Sequence, residues 1–135
     1  MKNILTTKQF DVKKKLEKHI TDKYTSEIIP YSKWKVGITR DEEKRKKQII
    51  AKFNKKIKDF NKTVRLKSKK KAEITSLRYW HCINSSSNKN ALIIEREFCN
   101  LSMSRCKVQR LHKPDSKFVY VFRIPSSILE IENKK

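Results

Sequence analysis

The sequence predicts an α/β (α+β) fold, in which helices flank a small three-stranded sheet. Apolar residues recur at helical spacing in four segments, and three shorter β-prone segments lie between them. The order is helix, strand, long helix, strand, helix, strand and short helix, for which a small sheet with packed helices is the economical architecture. The length of 135 residues, without an internal repeat, predicts a single domain over residues 1–135.

The N-terminal segment, residues 1–24, is predicted to consist mainly of one helix from about residue 6. Thr6 or Thr7 can cap this helix with a side-chain oxygen. Apolar side chains recur every four residues and therefore share one face, at Val12, Leu16, Ile20 and Tyr24.

A first strand is predicted in "YSKWKVGIT", which follows the helix-breaking Pro30. Its residues alternate, so that one face carries Trp34, Val36 and Ile38. The alternation ends at Thr39, where the strand is expected to end.

The second helix is predicted from about residue 41 to about residue 61. Thr39 and Glu42 have the spacing of a capping box, and acidic residues fill the first turn. Spacings of four, four and three residues then make one apolar stripe of Ile49, Phe53, Ile57 and Phe60.

The C-terminal half is predicted to form a strand, a helix, a strand and a short helix. The aromatic segment "SLRYWHCI", residues 76–83, alternates as a strand does. "FVYVFRI", residues 118–124, is so uniformly apolar that a central strand buried on both faces is expected. "SSILEIEN", residues 126–133, is expected to be a terminal helix. "ALIIEREFCNLSM" is the longer helix, with inward-facing Ala91, Ile94, Phe98 and Leu101.

The charge of the chain points to a polyanionic partner. Thirty-five Lys and Arg stand against 14 Asp and Glu, which gives a net charge of +21. A positive field of this size attracts nucleic acid, the commonest polyanion, and we favour DNA over RNA. An anionic membrane surface is the weaker alternative, and the sequence names no protein partner.

The sequence predicts neither a transmembrane helix nor a secretory signal peptide. No run of 18 or more apolar residues exists, and the N-terminus "MKNILTTKQF" lacks the long apolar stretch of a signal peptide. We therefore expect an intracellular protein, cytoplasmic or nuclear or viral, that is not secreted.

More than half of the net charge lies in one segment. Residues 44–71 carry 14 Lys and Arg and one acid, Asp59, for a net +13. Residues 62–75 are predicted to be an exposed basic loop that is mobile unless it lies on a phosphate backbone. The predicted nucleic-acid contacts are Lys35, Arg40, Lys44, Lys47, Lys55, Lys58, Lys62, Arg65, Lys67, Lys69, Lys70 and Lys71.

The segment "KVGITRDEEKR" resembles the second half of the signature of the GIY-YIG endonuclease family. In that family a strand ends in a Tyr-Ile-Gly or Tyr-Val-Gly triplet, and the helix that follows bears an essential arginine. Here the triplet is Lys35, Val36 and Gly37, and Arg45 follows Gly37 by eight residues. The family's metal-binding glutamate is matched by Glu95 in "ALIIE". The resemblance covers roughly residues 22–124.

The resemblance implies Mg²⁺-dependent hydrolysis of phosphodiester bonds. Glu95 would bind Mg²⁺ through a hard oxygen ligand, and Arg45 would contact the scissile phosphate. Gly37, the only glycine in the chain, would allow close approach to the substrate or supply a positive φ angle. Lys35 replaces the triplet's tyrosine and no Gly-Ile-Tyr triplet exists, so Tyr24 and Tyr31 are both candidates for the catalytic tyrosine.

Three functions are compatible with these observations. The first is a Mg²⁺-dependent DNA endonuclease of GIY-YIG type. The second is a non-catalytic DNA- or RNA-binding protein on a degenerate nuclease fold. The third is a basic protein of a larger assembly, such as a viral or ribosome-associated nucleoprotein.

Overall fold

The computed structural model describes residues 5–25, 29–100 and 115–133. The predicted order of elements is confirmed. Within those ranges, no helix is long and apolar enough to cross a lipid bilayer. The helices are α1 (Thr7–Thr21), α2 (Glu42–Thr63), α3 (Asn88–Cys99) and α4 (Ser126–Asn133). The strands are β1 (Trp34–Thr39), β2 (His81–Asn84) and β3 (Phe118–Arg123).

The three strands form one antiparallel sheet in the order β1-β3-β2. The C-terminal strand β3 is central, as its uniformly apolar sequence predicts. In its middle, residues 119–122 are at most 1% exposed. Gly37 of β1 and Cys82 of β2 both lie opposite Tyr120 of β3.

Helices cover both faces of the sheet. Successive side chains of a strand point to opposite sides, and β3 is apolar on both, so each side needs a cover. Val119 and Val121 face a first core, to which α1 and α3 contribute Leu16 and Ile94, among others. Tyr120 and Phe122 face a second core with α2 and α4, which contains Ile49, Phe53, Ile57, Ile124 and Ile128. The predicted inward face of β1 is confirmed, and so are those of the helices apart from three positions. Helix α1 ends at Thr21, so Tyr24 packs on the first core from beyond the helix, and Phe60 of α2 is only half-buried; Leu101 lies outside the described residues.

The helix N-termini differ in part from the predictions. Thr6 and Gln9 form a capping box at α1. At α2 the predicted box is wrong: the cap is Asp41, whose carboxylate accepts from the backbone N–H of Lys44. The hydroxyl of Thr39 instead accepts from the N–H of Asp41. Helix α3 begins at Asn88, three residues earlier than predicted, because the hydroxyl of Ser87 caps it.

The second strand is shorter than predicted. It covers only His81–Asn84, and the prediction that it begins at residue 76 is wrong. Tyr79 has a φ of 56°, which belongs to the left-handed region and interrupts an extended strand. The carbonyl of Arg78 still accepts a hydrogen bond from the N–H of Arg123, at 3.1 Å.

The segment between α2 and β2 folds back along α2. The side-chain amide of Asn61 bonds both the N–H and the carbonyl of Lys71, and Asn54 bonds Ile74 in the same way, at distances of 2.7 to 3.0 Å. Ile74 and Leu77 then pack against the second core. The basic loop is therefore attached to the helix at two points, while residues 65–70 between α2 and these attachments are exposed.

Candidate nucleic-acid interface

Eleven exposed Lys and Arg side chains lie on α2 and on the loop that folds back along it. The apolar stripe of α2 is buried in the second core, which leaves the opposite side of the helix to water. We call this the basic surface. Its exposed members are Lys44, Lys47, Lys52, Lys55, Lys56, Lys58, Lys62, Arg65, Lys67, Lys69 and Lys70. Of these, Lys56 also forms an ion pair with Glu132 of α4 at 3.7 Å.

Some predicted contact residues are already engaged within the protein. Lys71 is half-buried, forms an ion pair with Glu130 and lies over the ring of Phe60. Arg40 is exposed and lies 3.7 Å from the carboxylate of Asp115. Lys71 therefore stabilises the docking of the loop, whereas an exposed pair such as that of Arg40 contributes little to stability and can open for a ligand.

The basic surface contains a recess between α2 and the returning loop. Its volume is about 310 Å³. Three lysines and one carboxylate contribute to its lining, which consists of Asn54, Ile57, Lys58, Asn61, Lys62, Lys70 and Glu73. A concave site with an excess of positive charge favours an anion such as a phosphate group.

Gly37 lies beneath the side chain of Tyr120. A Cβ atom at position 37 would lie 2.2 Å from Oη and 2.3 Å from Cζ of Tyr120, both far inside van der Waals contact. The φ angle of Gly37 is not positive, which rules out the left-handed backbone as one of the two explanations considered for this glycine. The chain's single glycine makes room for a neighbouring ring.

Arg45 is positioned by the same tyrosine. Its Nε donates a hydrogen bond to Oη of Tyr120 at 3.1 Å, and its Nη1 lies 3.4 Å from the side-chain oxygen of Gln48. Burial raises the pKa of Tyr120, Arg45 opposes this rise, and the negative charge of Glu95 adds to it. The phenol is therefore neutral and holds the guanidinium of the half-buried Arg45.

Glu95 belongs to a helix on the other side of the sheet. Helix α3 packs on β1 and β3 from the first core, whereas Arg45 belongs to α2 on the second core. Glu95 is 8% exposed, and burial raises its pKa to about 7, against the lowering effect of Lys35. Arg45 and Gly37 thus both adjoin Tyr120, and Glu95 affects the same tyrosine through its charge.

The two tyrosines predicted from the sequence lie elsewhere. Tyr24 and Tyr31 pack against the first core, on the opposite face from Arg45 and Tyr120. The hydroxyl of Tyr24 accepts from Trp34 Nε1 at 2.8 Å and from Arg123 Nη1 at 3.4 Å. The structure therefore does not bring either of them beside Arg45.

Sequence reasoning missed the tyrosine that organises the region. Tyr120 is the one residue with a hydroxyl in the apolar segment "FVYVFRI". A buried tyrosine hydroxyl usually has a hydrogen-bond partner, which was the available signal. The ring of Trp80 stacks on Tyr120 at 4.7 Å, and Lys46 lies over Trp80 at 5.3 Å.

The donor set around Glu95 does not fit a Mg²⁺ site. Mg²⁺ is bound by ionised carboxylates together with water and substrate phosphates. Glu95 is almost fully buried and has a raised pKa, both of which oppose the ionised, hydrated state that the metal needs. Residues 5–25, 29–100 and 115–133 contain no group of three or more His, Cys, Asp or Glu that could hold a metal ion.

Comparisons with known proteins do not assign the chain to a family. The chain matches no protein-family model, no curated protein and no solved structure. Its candidate function therefore depends on the geometry and charge described above.

Proposed function

We propose that this protein binds nucleic acid through the basic surface of α2 and the loop that follows it. The observation that supports the proposal is the concentration of exposed cations on the side of α2 opposite its buried stripe, within a segment of net charge +13. Such a surface neutralises phosphates and releases counterions, independently of base sequence.

The dimensions of α2 suit an extended polyanion. A helix of 22 residues is about 33 Å long, close to one turn of B-form DNA. Because α2 and the loop are joined at Asn54 and Asn61, the loop lysines stay beside the helix. We place DNA ahead of RNA as the ligand. A basic protein of a nucleoprotein assembly would use the same surface without catalysis.

Replacing Lys67, Lys69 and Lys70 with glutamine is expected to weaken DNA binding and to flatten its salt dependence. The slope of log K against log salt falls by roughly 0.9 for each phosphate of duplex DNA that the variant no longer neutralises. The measurement is fluorescence anisotropy of a labelled duplex over a series of salt concentrations, repeated with an RNA of the same sequence.

The matched control replaces three exposed lysines of α1 with glutamine, namely Lys8, Lys14 and Lys15, and so lowers the net charge by the same amount as the loop variant. This control should leave the slope nearly unchanged. Equal slopes for the two triple variants would mean that binding follows net charge alone and would contradict the proposed surface.

Phosphodiester hydrolysis is a second candidate function. It is supported by the hydrogen bond from Arg45 to Tyr120 beside Gly37, because this bond fixes a guanidinium at the N-terminal end of the basic surface. A positioned arginine can stabilise the charge that develops on a phosphate during cleavage. The poor fit of Glu95 to Mg²⁺ stands against this candidate.

The deciding experiment incubates plasmid DNA with wild-type protein in Mg²⁺ and in EDTA. An endonuclease is expected to nick the plasmid only in Mg²⁺, and Arg45→Ala should lower the cleavage rate much more than the affinity. An independent readout is thermal stability at pH 8, where bound Mg²⁺ should raise the Tm of wild type but not of Glu95→Gln. If neither effect is seen, the nuclease candidate fails and nucleic-acid binding remains as the proposed function.

A further inference from the structure

Tyr79 holds a backbone conformation that its residue type disfavours. Its φ of 56° is left-handed, a region that glycine and asparagine occupy readily and that is an outlier for a bulky aromatic residue. Hydrogen bonds fix the two peptide groups beside it. His19 Nε2 donates to the carbonyl of Tyr79 at 2.7 Å, and the N–H of Arg123 donates to the carbonyl of Arg78.

This strained backbone places an aromatic ring at the surface. Tyr79 is 37% exposed, whereas Trp34, on which its ring stacks, is fully buried. The two rings are 6.0 Å apart between centroids and 21° apart in plane. Tyr79 is thus the outer member of a stack whose inner member is anchored in the first core. Backbone strain that a protein retains at one surface residue suggests a role for that side chain in function.

Two cations lie over the exposed ring. Lys23 Nζ lies 5.3 Å and Arg78 Cζ 5.4 Å from its centroid. Both side chains are exposed and come from different parts of the chain, the end of α1 and the approach to β2. A base that stacks on this ring would take the place of the two cations, whose long side chains can then turn to the adjacent phosphates.

We propose that Tyr79 is a stacking platform for an unpaired base of the bound nucleic acid, with Lys23 and Arg78 contacting the adjacent phosphates. The inference rests on the proposed nucleic-acid binding and adds the substrate class, a single strand or a duplex with unpaired bases. A base in an intact duplex is already stacked on both sides, so only an unpaired base can lie on the ring.

The test compares one oligonucleotide as a single strand and as a duplex with its complement, by fluorescence anisotropy at fixed salt. Tyr79→Asn removes the ring and tolerates the left-handed backbone. We expect it to raise the Kd for the single strand about 10-fold and to change the Kd for the duplex less than twofold, since the variant cannot stack a base. Tyr79→Phe keeps the ring and should bind both forms as wild type does.

Phe10 supplies the matched control. It is 53% exposed and has Lys14 over its ring at 5.9 Å, but it lies within α1. Phe10→Ala should leave both affinities unchanged, and circular dichroism with thermal melting verifies that each variant is folded.

The outcomes separate the platform from the basic surface. Unchanged single-strand binding by Tyr79→Asn, an equal loss on both forms, or an equal loss in Phe10→Ala would each overturn the platform. If the loop lysine variant still flattens the salt slope in that case, the proposed binding surface stands without it. If wild-type protein binds neither form, both proposals fail. If the ring of Tyr79 serves only to cover Trp34, Tyr79→Asn would lower the stability of the protein but would not affect single-strand and duplex binding differently.

Discussion

Gly37→Ala is expected to destabilise the fold by roughly 3 kcal/mol, the upper part of the range for overpacking a core. The added methyl group on β1 would lie 2.2 Å from Oη of Tyr120. Tyr120 belongs to β3, which β1 and β2 hold from both sides, so β3 cannot shift easily to relieve the clash. For a chain of this size the corresponding fall in Tm is about 10 °C. Urea denaturation and thermal melting measure it.

The sign of this effect distinguishes the packing explanation from backbone propensity. A glycine inside a strand ordinarily costs about 0.5–1 kcal/mol relative to alanine, so propensity alone predicts that Gly37→Ala stabilises the protein. An alanine variant as stable as wild type would contradict the role assigned to Tyr120.

A second substitution localises the clash. Tyr120→Leu removes both Oη and Cζ, so in that background Gly37→Ala should cost at least about 1 kcal/mol less than it does alone. Tyr120→Phe is the matched control, because it removes the hydroxyl but keeps Cζ, which lies 2.3 Å from the added methyl group. Additive effects of Gly37→Ala and Tyr120→Leu would show that the two positions are not in contact.

Glu95→Gln is expected to alter the pH dependence of stability. Burial raises the pKa of Glu95 from 4.5 to about 7, so the folded protein binds more protons than the unfolded chain between these values. The stability associated with the protonated carboxyl is complete below pH 4.5 and is lost as pH rises through 7. Relative to wild type, the glutamine variant should therefore gain roughly 3 kcal/mol between pH 4.5 and pH 8.

The measurement is a set of urea denaturation curves between pH 4.5 and pH 8. Glu43→Gln serves as the control, because it removes a carboxylate whose side chain is 75% exposed. The control should follow the wild-type profile. If wild type and Glu95→Gln lose stability in parallel over this range, Glu95 is not a buried acid. If Mg²⁺ binds Glu95, it lowers the pKa of this carboxyl, and the difference in stability between wild type and Glu95→Gln would then change when Mg²⁺ is added.

Much of the fold could be predicted from local patterns. The buried faces of α1, α2 and α3 follow from apolar spacing, because neighbours three and four residues apart lie on one side of a helix whatever surrounds it. The central position of β3 follows from its uniformly apolar sequence, since a strand covered on both faces has no side for polar residues. The cap of α2 was misassigned because Thr39 and Asp41 both offer an oxygen near the helix start, and local sequence does not rank them.

The candidate site could be predicted only in part. The spacing between Gly37 and Arg45 placed an arginine near the end of β1, and the structure keeps them close through Tyr120. The tyrosine itself could not be found, because its position opposite Gly37 depends on the register between β1 and β3. The spacing of Tyr24 before Lys35 and the nearness of Tyr31 to β1 make them candidates in the sequence, but the sheet separates both from Arg45.

The sequence by itself determined the order of the elements, the inward faces of the helices and the concentration of positive charge beyond the stripe of α2. These properties depend on residue type and on spacings of a few residues. Only the tertiary structure decided that Tyr120 occupies the space above Gly37, that Glu95 is buried and that Tyr79 takes a left-handed backbone at the surface. Each of these depends on segments far apart in the chain that meet only when the sheet assembles, so no local pattern could specify them.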